Sequence, residues 1–78
     1  MTDTVHHIDL TEWRCPQSLL ELKRALRNIT DEHCRVRMKV DSAADAKHWL
    51  TLRGCQWQGH RINEHDIELS FYWDSHHA

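Results

Sequence analysis

The sequence predicts an α/β two-layer sandwich, a mixed four-stranded sheet covered on one face by two helices in the order βαβαββ. Three observations predict it. Residues 16–29 repeat their apolar side chains at helical spacing, while residues 34–40 and 66–73 alternate at strand spacing. A chain of 78 residues holds one modest core, so residues 1–78 read as a single domain. Two helices can cover only one face of such a sheet, which leaves the other face wet.

The first element, "VHHIDL" at residues 5–10, offers Val5, Ile8 and Leu10 as apolar members of a short strand. A helix follows from Pro16 to about Ile29. Leu19, Leu22, Leu26 and Ile29 form its apolar line, and Pro16 suits the first turn because its missing N–H would be unpaired there anyway. Glu21 sits early, while Lys23, Arg24 and Arg27 sit late, in keeping with the helix dipole.

In "CRVRMKV", Cys34, Val36, Met38 and Val40 point one way and Arg35, Arg37 and Lys39 the other. Asp41 and Ser42 then supply cap chemistry, with Asp45 at capping-box spacing from Ser42. The second helix takes its apolar side from Ala43, Ala46, Trp49 or Leu50, and Leu52, and Gly54 ends it. Residues 55–62 read as a third strand. After a turn through "NEH", Ile67, Leu69, Phe71 and Trp73 line one face of the last strand, the most apolar one and so expected at the sheet centre. The tail "DSHHA" is expected to fray.

Composition narrows the function classes. Ten basic and twelve acidic residues give a net charge of −2, which argues against a general nucleic-acid binder or a membrane-surface protein. No apolar run approaches the length of a membrane span, and the start lacks signal-peptide character, so the chain reads as cytoplasmic. Its three cysteines, an odd number, fit reduced thiols. Cys34 falls on the apolar face of its strand. Cys55 follows the helix-ending glycine and is expected as a half-buried thiol, with a resolving role for Cys15 as the alternative. The cysteines stand nineteen and twenty-one positions apart, far from zinc-site spacing, so no metal and no cofactor are expected. The row Arg35, Arg37 and Lys39 raises the question of nucleic acid on the open sheet face. Glu68 on the same face uses some of that charge, so direct nucleic-acid binding is not expected.

The chemistry concentrates at Cys15. A side chain at a helix start meets unpaired backbone N–H groups and the positive end of the dipole, which stabilises a thiolate. Arg14 adds a positive charge and Pro16 stiffens the junction. A surface cysteine so placed suits a nucleophile or sulfur-transfer residue, whereas a small buried cysteine that merely precedes a helix is the alternative. Trp13 is either a hydrophobic anchor for a partner or a plug over the helix end. Lys23, Arg24 and Arg27 are either a solvated helix face or a docking surface for an acidic partner.

"IDLTEWRCPQSLLELKRAL", followed by a strand, an Asp-led second helix and two strands, resembles the TusA/SirA-like sulfur-carrier domains across nearly the whole chain. The resemblance rests on Cys15, Pro16, Asp9 and the helix that follows. It implies the two-layer βαβαββ fold and a cysteine that takes up a persulfide sulfur from a protein donor, a cysteine desulfurase or a rhodanese-like protein. Cys15 would relay that sulfur to an acceptor protein in tRNA thiolation, molybdenum-cofactor maturation or related trafficking. Whether such a carrier counts as an enzyme of sulfurtransferase type is left open. The chain departs from the family's Cys-Pro-x-Pro signature with Ser18 in place of the second proline, from its glycine before the cysteine with Glu12, and from its Asp-Pro with Asp41-Ser42. Glu12 is expected to work against the dipole at the thiol. The runner-up is therefore a non-catalytic interaction or regulatory module that keeps the fold without sulfur transfer.

Overall fold

The computed structural model describes residues 5–29 and 31–74; the tail histidines fall outside them. The elements run β1 (Val5–Asp9), α1 (Gln17–Leu26), β2 (Glu32–Lys39), α2 (Val40–Leu52), β3 (Trp57–Arg61) and β4 (Asp66–Trp73). The strands lie in the order β1-β2-β4-β3. β1 runs parallel to β2, and the other two pairings are antiparallel, so the sheet is mixed and β4 is central as expected.

Alternation decides which sheet face is buried. Cys34, Val36 and Met38 of β2 and Ile67, Leu69, Phe71 and Trp73 of β4 join Leu22, Leu26, Ala43, Ala46 and Leu50 of the two helices in one core. The opposite face carries Arg37, whose Nε lies 3.4 Å from Glu68 Oε2, and Lys39, whose Nζ lies 3.2 Å from Asp66 Oδ1. Cross-strand pairing thus absorbs much of the basic row, because these residues stand directly opposite each other in the register.

Three local readings are corrected. α1 ends at Leu26, and the chain tightens into a shorter-ringed turn in which Ile29 N–H bonds to Leu26 C=O at 3.2 Å; Ile29 still reaches the core. Leu52, expected on the apolar side of α2, is 71% exposed, since Leu50 and Ala46 already define that face. Cys55 is only 5% exposed. The end of α2 explains it: Gly54 takes φ +75°, its N–H bonds to Thr51 C=O at 3.0 Å, and Cys55 N–H bonds to Leu50 C=O at 2.9 Å. That hydrogen-bond pair turns the residue after the glycine back onto the last helical turn, where an apolar contact is usual. Among the described residues, no helix is long and apolar enough to cross a membrane.

Candidate functional site

The loop from β1 to α1 is folded by its own polar groups. Leu10 N–H continues the β1 ladder to Arg37 C=O at 2.7 Å, and Trp13 N–H bonds to Leu10 C=O at 3.0 Å. Asp9 Oδ1 accepts Thr11 N–H at 3.0 Å and Thr11 Oγ1–H at 2.7 Å. These bonds, with Arg37 and Lys39 behind them, hold the Asp9 carboxyl below the usual carboxylate range. Asp9 therefore closes the turn that leads to Cys15. Trp13 is half-buried and packs against the core.

Of the three cysteines, Cys15 is exposed, whereas Cys34 and Cys55 are buried. Pro16 is the N-cap residue of α1, its bond to Cys15 is cis, and Ser18 N–H bonds to Arg14 C=O at 2.9 Å. The loop is anchored from the other helix. Cys15 N–H donates to Ser42 Oγ at 3.0 Å, and the Cys15 thiol donates to Asp45 Oδ2. Ser42 and Asp45 stand three apart on α2 and so share one helix face. Ser42, Ala43 and Ala46 are small and buried, and small side chains let α2 approach the loop this closely.

This anchoring reverses the electrostatic expectation. The Cys15 thiol is pushed up from its ordinary value, first by its hydrogen bond to Asp45, then by desolvation and by the Asp45 charge. A carboxylate that accepts the thiol hydrogen bond stabilises the protonated form and repels the thiolate. Neither Arg14 nor Glu12 is among the groups that move the thiol. Burial pushes Cys34 up to about 11 and also raises Cys55, so both stay protonated and are inert beside Cys15.

The basic residues that sequence suggested for docking have neighbours of their own. Lys23 Nζ lies 5.5 Å from the Trp49 ring centre, and Arg24 pairs with Glu21 at 3.2 Å. Arg27 follows the last turn of α1. Arg14 instead borders a polar cavity beside the start of α2. A larger cavity of about 650 Å³, near Cys55, Trp57 and Tyr72, does not include Cys15. Among the described residues no three His, Cys, Asp or Glu side chains gather as a metal-binding group.

Ser42 and Asp45 are the residues that sequence reasoning misplaced. Their spacing reads as a helix cap, yet α2 begins at Val40 without a side-chain cap, and Val40 N–H is met by His65 C=O at 2.8 Å. With the helix start satisfied from the β3–β4 turn, both side chains are released towards Cys15. The visible signal was a serine beside small apolar residues on a face meant for the core. Compared with protein-family models, curated proteins and solved structures, this chain finds no match.

Proposed function

We propose that this chain is a small sulfur carrier of the TusA/SirA-like kind, taking up a persulfide sulfur on Cys15 and relaying it to an acceptor protein. The observation that carries this reading is the selective exposure of Cys15 at a loop-to-helix junction held by Ser42 and Asp45, while the other two thiols are buried. The step balances without an external oxidant. A donor Cys–S–SH and the Cys15 thiol give a donor thiol and Cys15–S–SH; one S–S bond breaks, one forms, and the sulfane sulfur keeps its oxidation state. Attack needs the thiolate. Asp45 is placed to receive the Cys15 proton and return it to the departing donor thiolate. The donor is a protein persulfide of the desulfurase or rhodanese type, and the acceptor is a second protein. The test is loading by a cysteine desulfurase supplied with cysteine, with Cys15→Ala as the control.

One observation favours a second reading, an interaction module without sulfur transfer: Asp45 pushes the Cys15 thiol above its ordinary value, which lowers the thiolate fraction and slows nucleophilic attack. Cys15→Ala separates the two, because a carrier loses its activity and an interaction module keeps its partner.

A further inference from the structure

Two bonds of different kind hold Cys15 to α2. Its backbone N–H donates to Ser42 Oγ at 3.0 Å, and its thiol donates to the Asp45 carboxylate. The backbone is pinned on the α1 side as well, because Arg14 C=O accepts Ser18 N–H at 2.9 Å. Ser42 is buried, whereas Cys15 and Asp45 are exposed. The backbone bonds thus fix the course of the loop, and the thiol bond holds the sulfur-bearing side chain against α2. Attaching a second sulfur changes only the thiol bond. In the free thiol, Sγ carries the hydrogen that Asp45 accepts. When a donor R–S–SH passes its outer sulfur to Cys15, that hydrogen leaves with the donor as R–SH. Sγ is then bonded to carbon and sulfur alone and has nothing to donate. The backbone N–H groups keep their hydrogens, so the bonds to Ser42 Oγ and Arg14 C=O survive the change.

We propose that the Cys15–Asp45 contact is a clasp that closes on the free thiol and opens when sulfur is attached, a regulation of the sulfur site that rests on the carrier reading. Only the unloaded protein makes this bond, so the bond stabilises the unloaded form relative to the loaded one. By the same linkage it favours handing the sulfur on to an acceptor. Sγ without its hydrogen faces the carboxylate with lone pairs alone, and an ionised outer sulfur is repelled by the Asp45 charge. The side chain therefore turns from α2 towards solvent while the loop keeps its place. Asp45 is exposed, so water takes over its carboxylate once the thiol has gone. After transfer the emptied thiol regains its hydrogen and closes on Asp45 again.

A test of the clasp needs no sulfur-donating protein. The reduced protein is equilibrated at neutral pH with dimethyl disulfide and methanethiol, so that Cys15–SH and dimethyl disulfide give Cys15–S–S–CH3 and methanethiol. This adduct puts a second, uncharged sulfur on Sγ, and intact mass with peptide mapping gives the fraction modified. The equilibrium constant in Asp45→Ala is expected to exceed that of the unaltered protein about threefold, the size of one modest hydrogen bond. Asp45 is an exposed helix position, where alanine is well tolerated. Equal constants would overturn the clasp. A second measurement uses the unaltered protein alone. On forming the adduct, the Asp45 carboxyl carbon should move in NMR spectra to its position in Cys15→Ala, while the Cys15 amide stays protected from hydrogen exchange. A carboxyl signal that stays put would overturn the clasp, and so would loss of the amide protection, because the loop would then leave with the sulfur. If Asp45→Ala shifts the equilibrium while no desulfurase or rhodanese-type donor loads Cys15, the carrier reading fails and the clasp remains. If such a donor loads Cys15 and the constants are equal, the carrier stands and the clasp is refuted.

Discussion

The thiol of Cys15 donates its proton to the carboxylate of Asp45, a residue thirty positions further along the chain. This contact joins the start of one helix to the first turns of the other and pushes the exposed thiol above its ordinary value.

Replacing Asp45 by asparagine removes the charge that favours the protonated thiol, so the Cys15 pKa should fall towards its ordinary value. Each unit of fall multiplies the thiolate at neutral pH about tenfold, while intrinsic nucleophilicity drops only about threefold. The thiolate fraction wins. Alkylation of Cys15 by iodoacetamide at pH 7, followed by mass, should therefore be faster in Asp45→Asn. An unchanged or slower rate would mean that the carboxylate does not govern the sulfur.

Ser18 is fully buried, and its hydroxyl has no hydrogen-bond partner among the described residues. A buried hydroxyl without a partner costs roughly 1–3 kcal/mol of desolvation. Ser18→Ala removes that cost at the loss of one small atom, and urea unfolding should show a gain of about 1 kcal/mol. A loss of stability would reveal a partner for the hydroxyl in solution.

Leu50 and Leu52 are neighbours on α2 with opposite fates, the first fully buried and the second 71% exposed. Leu50→Ala should cost about 3 kcal/mol, within the range for buried leucines. Leu52→Ala should change stability by less than about 0.5 kcal/mol. Chemical denaturation of the two variants side by side checks which face of α2 is inside.

The buried Cys34 thiol, pushed up to about 11 from 9.0, gives the fold an alkaline limit. Below pH 9 the thiol is protonated in both states and the folded state keeps its full advantage. Above that, the unfolded chain ionises first, so stability drains away until the folded thiol also ionises near 11. Thermal unfolding between neutral pH and pH 11 should show this decline, and Cys34→Ala should flatten it. The slope that remains belongs to Cys55, Cys15 and Tyr72, which are raised in the same direction. At the acid end the sign is opposite. Asp9 and Asp66 are held below 3.8, so their contribution is lost as pH falls through their lowered values.

The sheet was legible because its signals are local. Alternation in β2 and β4 marks one face of each strand, and β4, with four apolar positions in a row of alternates, belongs in the middle. Gly54 announced the end of α2 for a reason internal to that turn. The site was only half legible. Cys15 and Pro16 advertise a helix start, but the thiol is raised chiefly by Asp45, thirty positions further along the chain. Spacing along α2 suggested that Ser42 and Asp45 cap their own helix. Nothing local could reveal that His65 C=O satisfies the first N–H of α2 instead. Cys55 was misjudged for a similar reason: the backbone bonds that follow Gly54 fold it inward, and burial is decided by where the chain returns.

The central claim is that Cys15, alone among the three thiols, accepts sulfur. The direct measurement incubates the reduced protein with a cysteine desulfurase and cysteine, then records intact mass with peptide mapping. One added sulfur on Cys15, absent in Cys15→Ala and absent from Cys34 and Cys55, is the predicted result. No added sulfur from several desulfurase and rhodanese-type donors, although Cys15 still alkylates, would contradict the carrier and leave the interaction module in its place.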